Sequence, residues 1–374
     1  MSFNENLNEV FQGKTVLITG HTGFKGSWLT KWLLQKGAKI IGASKDIPTN
    51  PSLFHTLELA SEIEHNILDI RDTKKTKEII IESKPDFIFH LAAQPIVSLS
   101  YSDPIDTLMT NAIGTASVLE GIRSLTNKCV VIVVTSDKCY ENVEWVWGYK
   151  ETDRLGGKDI YSSSKAAAEI IYNSFFHSYL KGMSNIRIAS VRAGNVIGGG
   201  DWAEDRIVPD CIRSWSQHKK VELRRPYATR PWQHVLEPLS GYLQLAMALW
   251  NDNKHNGDSF NFGPISDNNI TVLELISRLS KTWNFENHED SFSITNQNSF
   301  QEAGLLKLNC DKAIFHLKWT PTLDIQELIE YTGDWYYRFY NEPHKINEFT
   351  FKQIADYEQK IAAKNLSLNP ITSL

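Results

Sequence analysis

Tyr161 and Lys165 stand four residues apart in Tyr161-Ser162-Ser163-Ser164-Lys165, a spacing that puts both side chains on one face of a helix. Three alanines and a glutamate come next, then Ile170, Ile171, Phe175 and Phe176, and this run predicts a helix. A free phenol ionises near pH ~10, too high for a base at neutral pH, and an adjacent ammonium favours the phenolate. The pair is therefore a candidate proton-transfer device. The same spacing also occurs by chance on surface helices, so its meaning depends on the elements that position it.

The first of those elements is at the other end of the chain. Lys14 to Gly20 reads K-T-V-L-I-T-G, a short β-branched run, and Gly20-His21-Thr22-Gly23-Phe24-Lys25-Gly26 follows. Trp28, Leu29, Trp32 and Leu33 then recur at helical spacing between Ser27 and Lys36. Strand, glycine-rich turn and helix, in that order, are the context in which backbone approaches a dinucleotide's pyrophosphate at a helix N-terminus. The spacing is GxxGxxG rather than GxGxxG.

Ala38 to Ala43 reads as a second strand. Where a carboxylate would meet the adenosine ribose stands Ser44, with Lys45 and Asp46 beyond it. Asp46 is either that carboxylate or a solvated loop residue, and the choice between NAD and NADP stays open at this point. Asp69 and Ile70 lie where a third strand turns into a helix over 73–83. Asp69 is a candidate partner for the adenine amino group, and Asp72 suits the helix N-cap. Pro85 to Leu91 is a compact apolar strand that leaves on the small residues Ala92 and Ala93, then Gln94 and Pro95. Small side chains there suit either a cofactor passing close by or a tight turn. A helical pattern over 107–125 contains Asn111, and C-V-V-I-V-V-T (129–135) is a strand buried on both faces.

This alternation, continued by the Tyr161 helix and a β run from Ile186 to Val191, predicts an α/β fold: a Rossmann-type, doubly wound parallel sheet with a smaller interleaved α/β substrate-binding lobe. The expected division is a dinucleotide-binding domain over 1–192 with return segments at about 235–263, and a second lobe over 193–234 and 264–374. Phe260-Asn261-Phe262 is expected to rejoin the sheet, and the polar tail past Tyr357 to be partly disordered.

Composition narrows the class. In 374 residues, 41% hydrophobic and 22% charged, the chain has the make-up of an ordinary globular protein. A formal net charge of −5 provides no basic field for nucleic acid. Four cysteines, Cys129, Cys139, Cys211 and Cys310, lack CxxC spacing, so neither a metal site nor a disulfide framework is expected. The N-terminal stretch is polar and acidic, and no apolar run is long enough to span a bilayer. The expectation is a cytoplasmic protein without a membrane partner.

With these residues in hand, the chain resembles the extended short-chain dehydrogenase/reductase family, and within it the CDP-glucose 4,6-dehydratases. The resemblance rests on G-H-T-G-F-K-G-S-W-L (20–29), L-A-A-Q-P (91–95), T-S-D-K-C-Y-E-N (135–142), E-W-V-W-G-Y (144–149), Y-S-S-S-K (161–165), V-R-A-G-N-V-I-G-G-G-D-W (191–202) and R-P-W-Q-H-V (230–235). Y-x-x-x-K marks only the superfamily. Asp137-Lys138, where sister dehydratases carry Asp-Glu, and the last segment are narrower.

The resemblance implies NAD as cofactor, CDP-glucose as substrate, a place in deoxysugar synthesis for surface polysaccharide, and a homodimer or homotetramer. It implies that Tyr161 takes the sugar's 4-hydroxyl proton, with Lys165 lowering its pKa and holding the nicotinamide ribose. Ser136 would bond the 4-oxygen, Asp137 would protonate the departing C6 hydroxyl, and Lys138 would be the base at C5. Gly20 to Gly26, Ser44, Asp69, Ile70, Leu91, Ala92, Ala93, Asn111 and Thr135 would surround the cofactor. Gln94, Asn195, Arg206, Arg224, Arg230 and His234 are the expected substrate contacts, the arginines because their forks suit phosphate. Lys138 is expected to weaken binding of the oxidised cofactor relative to the reduced one. His21 would either crowd the cofactor or cap the turn.

Overall fold

A computed structural model describes residues 3–264, 269–283, 285, 287–295 and 305–368. Seven parallel strands form its central sheet: β1 (Thr15–Thr19), β2 (Lys39–Ser44), β3 (Glu64–Ile67), β4 (Phe87–His90), β5 (Cys129–Val134), β6 (Ile186–Ala193) and β7 (Ser259–Phe262). Their spatial order is β3-β2-β1-β4-β5-β6-β7. The chain starts at the centre, walks to one edge, then returns and walks to the other, so a crevice opens where β1 and β4 diverge at their C-terminal ends. Residues 260–262 do rejoin the sheet, beside β6.

Helices cover both faces: α1 (Phe3–Phe11), α2 (Phe24–Gln35), α3 (Thr73–Ser83), α4 (Gly114–Ile122), α5 (Ile160–Phe175), α6 (Leu236–Asn251), α7 (Ile325–Asn341) and α8 (Ile346–Leu368). One apolar layer packs α1, α2, α6 and α8 against one face, through Leu7, Trp28, Trp32, Leu239 and Tyr357. The other joins α3, α4 and α5 to the opposite face, through Ile80, Val118, Leu119 and Tyr172. β4 and β5 have fully buried side chains on both faces, which is why their sequences are continuous apolar runs rather than alternating ones. Asn111 lies in a π-helical turn, Met109–Ile113, just before α4.

A buried ion pair ties the site-bearing elements together. Glu169, one turn past Lys165 on α5, accepts from Arg192 Nε and Nη2 of β6 at 2.9 and 2.8 Å. It also accepts from Thr135 Oγ1 at 2.5 Å and Ser190 Oγ at 2.9 Å. Arg192 Nη1 continues to the Tyr140 hydroxyl at 2.7 Å. Burial works against the Glu169 charge, but Arg192, Thr135 and Ser190 offset it and hold the carboxyl below its usual range. Removing one partner strands the other charge in the interior. We expect Arg192→Met to lose about 3–5 kcal/mol in a urea unfolding curve.

The tail is ordered further than expected: residues up to Leu368 form α8, and Tyr357 is fully buried, while 369–374 lie outside the described residues. Glu358 receives Trp32 Nε1 at 2.7 Å and Lys36 Nζ at 2.8 Å. A polar sequence docks here because its charges find buried partners on α2. Among the described residues no helix is long and apolar enough to cross a membrane.

Candidate active site

The crevice is assembled from the loops at the C-terminal ends of the strands. Gly20 follows β1 with φ +78°, and a Cβ there would lie 2.7 Å from Ala92 N. The chain leaving β4 thus passes directly over the turn, which explains the small residues Ala92 and Ala93. A Cβ on Gly26 would run into the Gly20 carbonyl oxygen. Gly23 caps α2 with no side-chain hydrogen bond, so the first N–H groups of α2 face the crevice without a side-chain acceptor at the cap. This is a cradle for a diphosphate, and the residues present fit a dinucleotide. The Gly26→Ala variant should be destabilised by about 1–3 kcal/mol through overpacking, read from its melting curve.

Ser136 leaves β5 in an extended conformation and caps the short turn Asp137–Cys139, its Oγ accepting from Lys138 N at 3.2 Å. The same Oγ donates to Asp137 Oδ1 at 3.0 Å. Across the crevice Asp159 caps α5, accepting from Ser162 N at 2.8 Å, which fixes Tyr161 and Lys165 in the first turns. Both are almost fully buried, as are Ser136 and Asp137, while Lys138 is half-buried.

The electrostatics favour neutral groups. Burial pushes Tyr161 up to about 12; a Ser136 hydrogen bond and the Arg206 charge work against this, while Asp137 reinforces it. Burial brings Lys165 down to about 8, with Cys139 and Glu169 opposing. Burial also raises Asp137 above the carboxylate range, against Lys138, Ser136 and Lys25. Ser136 and Arg206 are the groups that lower the Tyr161 phenol.

Lys25 was legible only as part of the glycine turn. Its charge is also coupled to the reaction centre: burial lowers it to about 8, Arg206 and Lys165 act the same way, and Asp137 and Asp201 oppose. A cation in the first turn of a helix opposes the macrodipole, and that misfit was the available signal. His90 was also missed. It bridges Thr19 Oγ1 (2.7 Å) and Thr115 Oγ1 (3.1 Å), and Thr115 holds the Asn111 carbonyl at 2.7 Å. The one polar side chain in F-I-F-H was its signal.

Other expected residues have different surroundings. Asn111 spans the crevice, receiving Gln94 N at 2.8 Å and donating to Ser164 Oγ at 2.9 Å. The Gln94 side chain is committed to Thr107 Oγ1 and Ile96 N. Thr135 turns its hydroxyl towards Glu169 and its N–H to the Val191 carbonyl at 2.9 Å, leaving its carbonyl for a cofactor. Ser44 and His21 are buried together, Ser44 Oγ to His21 Nδ1 at 2.8 Å, with His21 Nε2 on His65 Nδ1 at 2.7 Å. Burial, then His65, lowers His21 to about 4, so the ring is neutral and packed against Gly42 rather than over the turn. Asp69 is held by Arg71 Nε at 2.9 and 3.0 Å, which takes up the carboxylate expected at adenine. Ile70 is buried beneath Gly114. Leu91 lies half-buried at the β4 exit.

On the substrate side, Arg206 Nη1 is paired with Asp201 at 2.7 Å and its charge reaches Tyr161. Arg224 is exposed, and Arg230 and Asn195 are half-buried. His234 is a correction. It is fully buried between Trp28 and Tyr331, and burial lowers it to about 3. Its ring packs the base of the crevice and has no surface to offer a phosphate.

Residues 17–332 match the model of the family described as GDP-mannose 4,6 dehydratase. The chain belongs to that family. It is 45% identical over 330 residues to a CDP-glucose 4,6-dehydratase of Salmonella typhimurium, covering 87% of this chain and 91% of that protein. A CDP-paratose 2-epimerase of Salmonella typhi is 24% identical, covering 86% and 98%. Among solved structures, an epimerase of Methanothermobacter thermautotrophicus superposes with TM-score 0.77 at 21% identity, covering 92% and 97%. A Bacillus anthracis dTDP-glucose 4,6-dehydratase in complex with NAD superposes with TM-score 0.73 at 20% identity, covering 91% and 100%. In this member of the GDP-mannose 4,6 dehydratase family, the crevice lies at the switch point between β1 and β4.

Proposed function

We propose that this chain removes water from CDP-glucose to give CDP-4-dehydro-6-deoxyglucose, with NAD used and regenerated in each turnover. The supporting observation is the neutral-favoured Asp137, beside Lys138 and within the electrostatic reach of Tyr161, in a chain so similar to a named CDP-glucose 4,6-dehydratase. Gly20 to Gly26 and the first turn of α2 would hold the dinucleotide's diphosphate, and Lys165 its nicotinamide ribose. Bound there, the nicotinamide would supply a hydride acceptor for C4 and a hydride donor for C6.

The chain's own residues handle the protons. Tyr161 takes the proton of the 4-hydroxyl, and Ser136 Oγ steadies the oxygen as it becomes a carbonyl. The new ketone makes the C5 hydrogen acidic. Lys138 removes it while Asp137 protonates the C6 hydroxyl, which leaves as water. Lys138 then returns a proton to C5, and the proton held by Tyr161 makes good the one Asp137 gave up, through solvent. Arg206, Arg230 and Asn195 would meet the substrate's diphosphate. The segments 193–234 and 264–374 would act as the sugar-nucleotide lobe. Exposed Ile105, Met109 and Ile113 before α4, and Ile170 and Tyr179 in and after α5, support a homo-oligomer that pairs these helices. A cytoplasmic site of action accords with a nucleotide-sugar substrate.

The test is incubation with CDP-glucose, UDP-glucose and dTDP-glucose in deuterated water, with added NAD. The expected product is a 4-keto-6-deoxy sugar from CDP-glucose, with solvent deuterium at C5 and the C4 hydrogen moved to C6. An epimer formed without water loss would overturn the dehydration. Turnover of the other two sugars but not CDP-glucose would overturn the substrate.

A further inference from the structure

Beside Asp137, at the exit of β6, is a group of polar atoms that the chemistry above leaves unused. Asp137 Oδ1 is bonded to Ser136. Oδ2 faces the exit of β6: a Cβ on Gly194 would stand 3.1 Å from it and 4.0 Å from Pro231 Cγ. Two residues past Pro231, Gln233 is buried; its Nε2 donates to the Phe262 carbonyl at 3.1 Å, and its Oε1 has no protein partner among the described residues. Tyr242 of α6 packs edge-on against Phe262 with ring centroids 5.7 Å apart. It is fully buried, and its hydroxyl also lacks a partner among the described residues. Beyond burial, the one charge that bears on this phenol is that of Asp137.

Buried polar groups without a partner are costly. A phenol that packed only for its ring would serve better as phenylalanine. A single water among these groups would accept from Tyr242 and donate to Gln233 Oε1 and to Asp137 Oδ2. Three polar partners is the usual number for a buried water.

We propose that Tyr242 is a positioning residue for Asp137: through one buried water shared with Gln233, its hydroxyl supports the carboxylate that Asp137 becomes on protonating the departing C6 hydroxyl. This rests on Asp137 being the acid. The support grows as the proton leaves, so it acts on the transition state of elimination more than on bound substrate. It leaves C4 oxidation untouched. The other groups that bear on Asp137 are Ser136 and Lys138 on its own turn, Cys139 beside them, Lys25 from α2 and Tyr161 from α5.

The experiment compares Tyr242→Phe and Gln233→Met with the unaltered enzyme, using CDP-glucose with added NAD. Tyr242→Phe should lower kcat about tenfold with KM unchanged, while single-turnover C4 oxidation keeps its rate. An acid works while protonated, so activity falls as pH rises through its pKa. Without the water's support the carboxylate is less favoured, that pKa rises, and the alkaline limb of kcat moves to higher pH. Gln233→Met should move it the same way by less. An unmoved limb in Tyr242→Phe, or oxidation and elimination slowed together, would overturn the role. If Asp137→Asn eliminated water at the normal rate, the acid assignment itself would fall, whatever Tyr242→Phe did.

Discussion

Tyr161→Phe should abolish every step, lowering turnover of CDP-glucose about 10³-fold, with no ketone formed at C4. The ring keeps its packing, so substrate affinity and melting temperature should hold within the scatter of an isosteric change. The size of the effect follows from the place of Tyr161 in the sequence of events: without removal of the 4-hydroxyl proton, the C5 hydrogen never becomes acidic, and neither Asp137 nor Lys138 has work to do. The phenol is held at about 12, because burial outweighs the Ser136 hydrogen bond and the Arg206 charge. A base must be deprotonated, so C4 oxidation rises with pH through the phenol's pKa. For activity near neutrality, occupants of the crevice must lower that pKa. The acid limb measured with bound cofactor and substrate should therefore lie well below pH 12, and an acid limb that stays there would remove Tyr161 as the base.

How much of this was legible in the sequence depends on the reach of each interaction. The glycine turn, the β5 run and the Tyr161–Lys165 spacing are local: their residue types encode a conformation or a shared helix face within a few positions. They led to the observed sheet and crevice. Lys25 had a local signal, its awkward place at the start of α2, but the charges that bear on it, Arg206 and Asp137 among them, lie far along the chain. His21 and Ser44 sit in the right segments, yet they pair with each other and with His65 because Gly42 leaves room for a ring beneath β2. Asp69 satisfies Arg71 two residues on, a competing partner that a motif does not reveal. His234 lies in the most specific motif of the second lobe and still packs inward, between Trp28 and Tyr331. The polar tail reads as solvated until Lys36 and Trp32, more than 300 positions away, supply partners for Glu358. Local chemistry is written in the sequence; which polar groups are spent on each other is decided by packing.

Asp137→Asn should separate oxidation from dehydration. The amide keeps the shape and still accepts from Ser136 Oγ, as the carboxyl does at 3.0 Å, but it has no acidic proton for the C6 hydroxyl. Elimination should slow about 10²- to 10³-fold. C4 oxidation, which belongs to Tyr161, should proceed in a single turnover at close to the normal rate and show as a lasting reduced-nicotinamide absorbance. The pH dependence has a definite sign. Burial raises Asp137 above the usual carboxylate range, against the pull of Lys138, Ser136 and Lys25, so the acid form persists towards neutrality and elimination is lost as pH rises through the raised value. In Asp137→Asn that alkaline limb should vanish, leaving a slow, flat rate. Glutamate at this position would restore an acid proton on a longer arm and should recover part of the rate with its limb. Equal loss of oxidation and elimination in Asp137→Asn would show that the carboxyl organises the crevice rather than donating a proton.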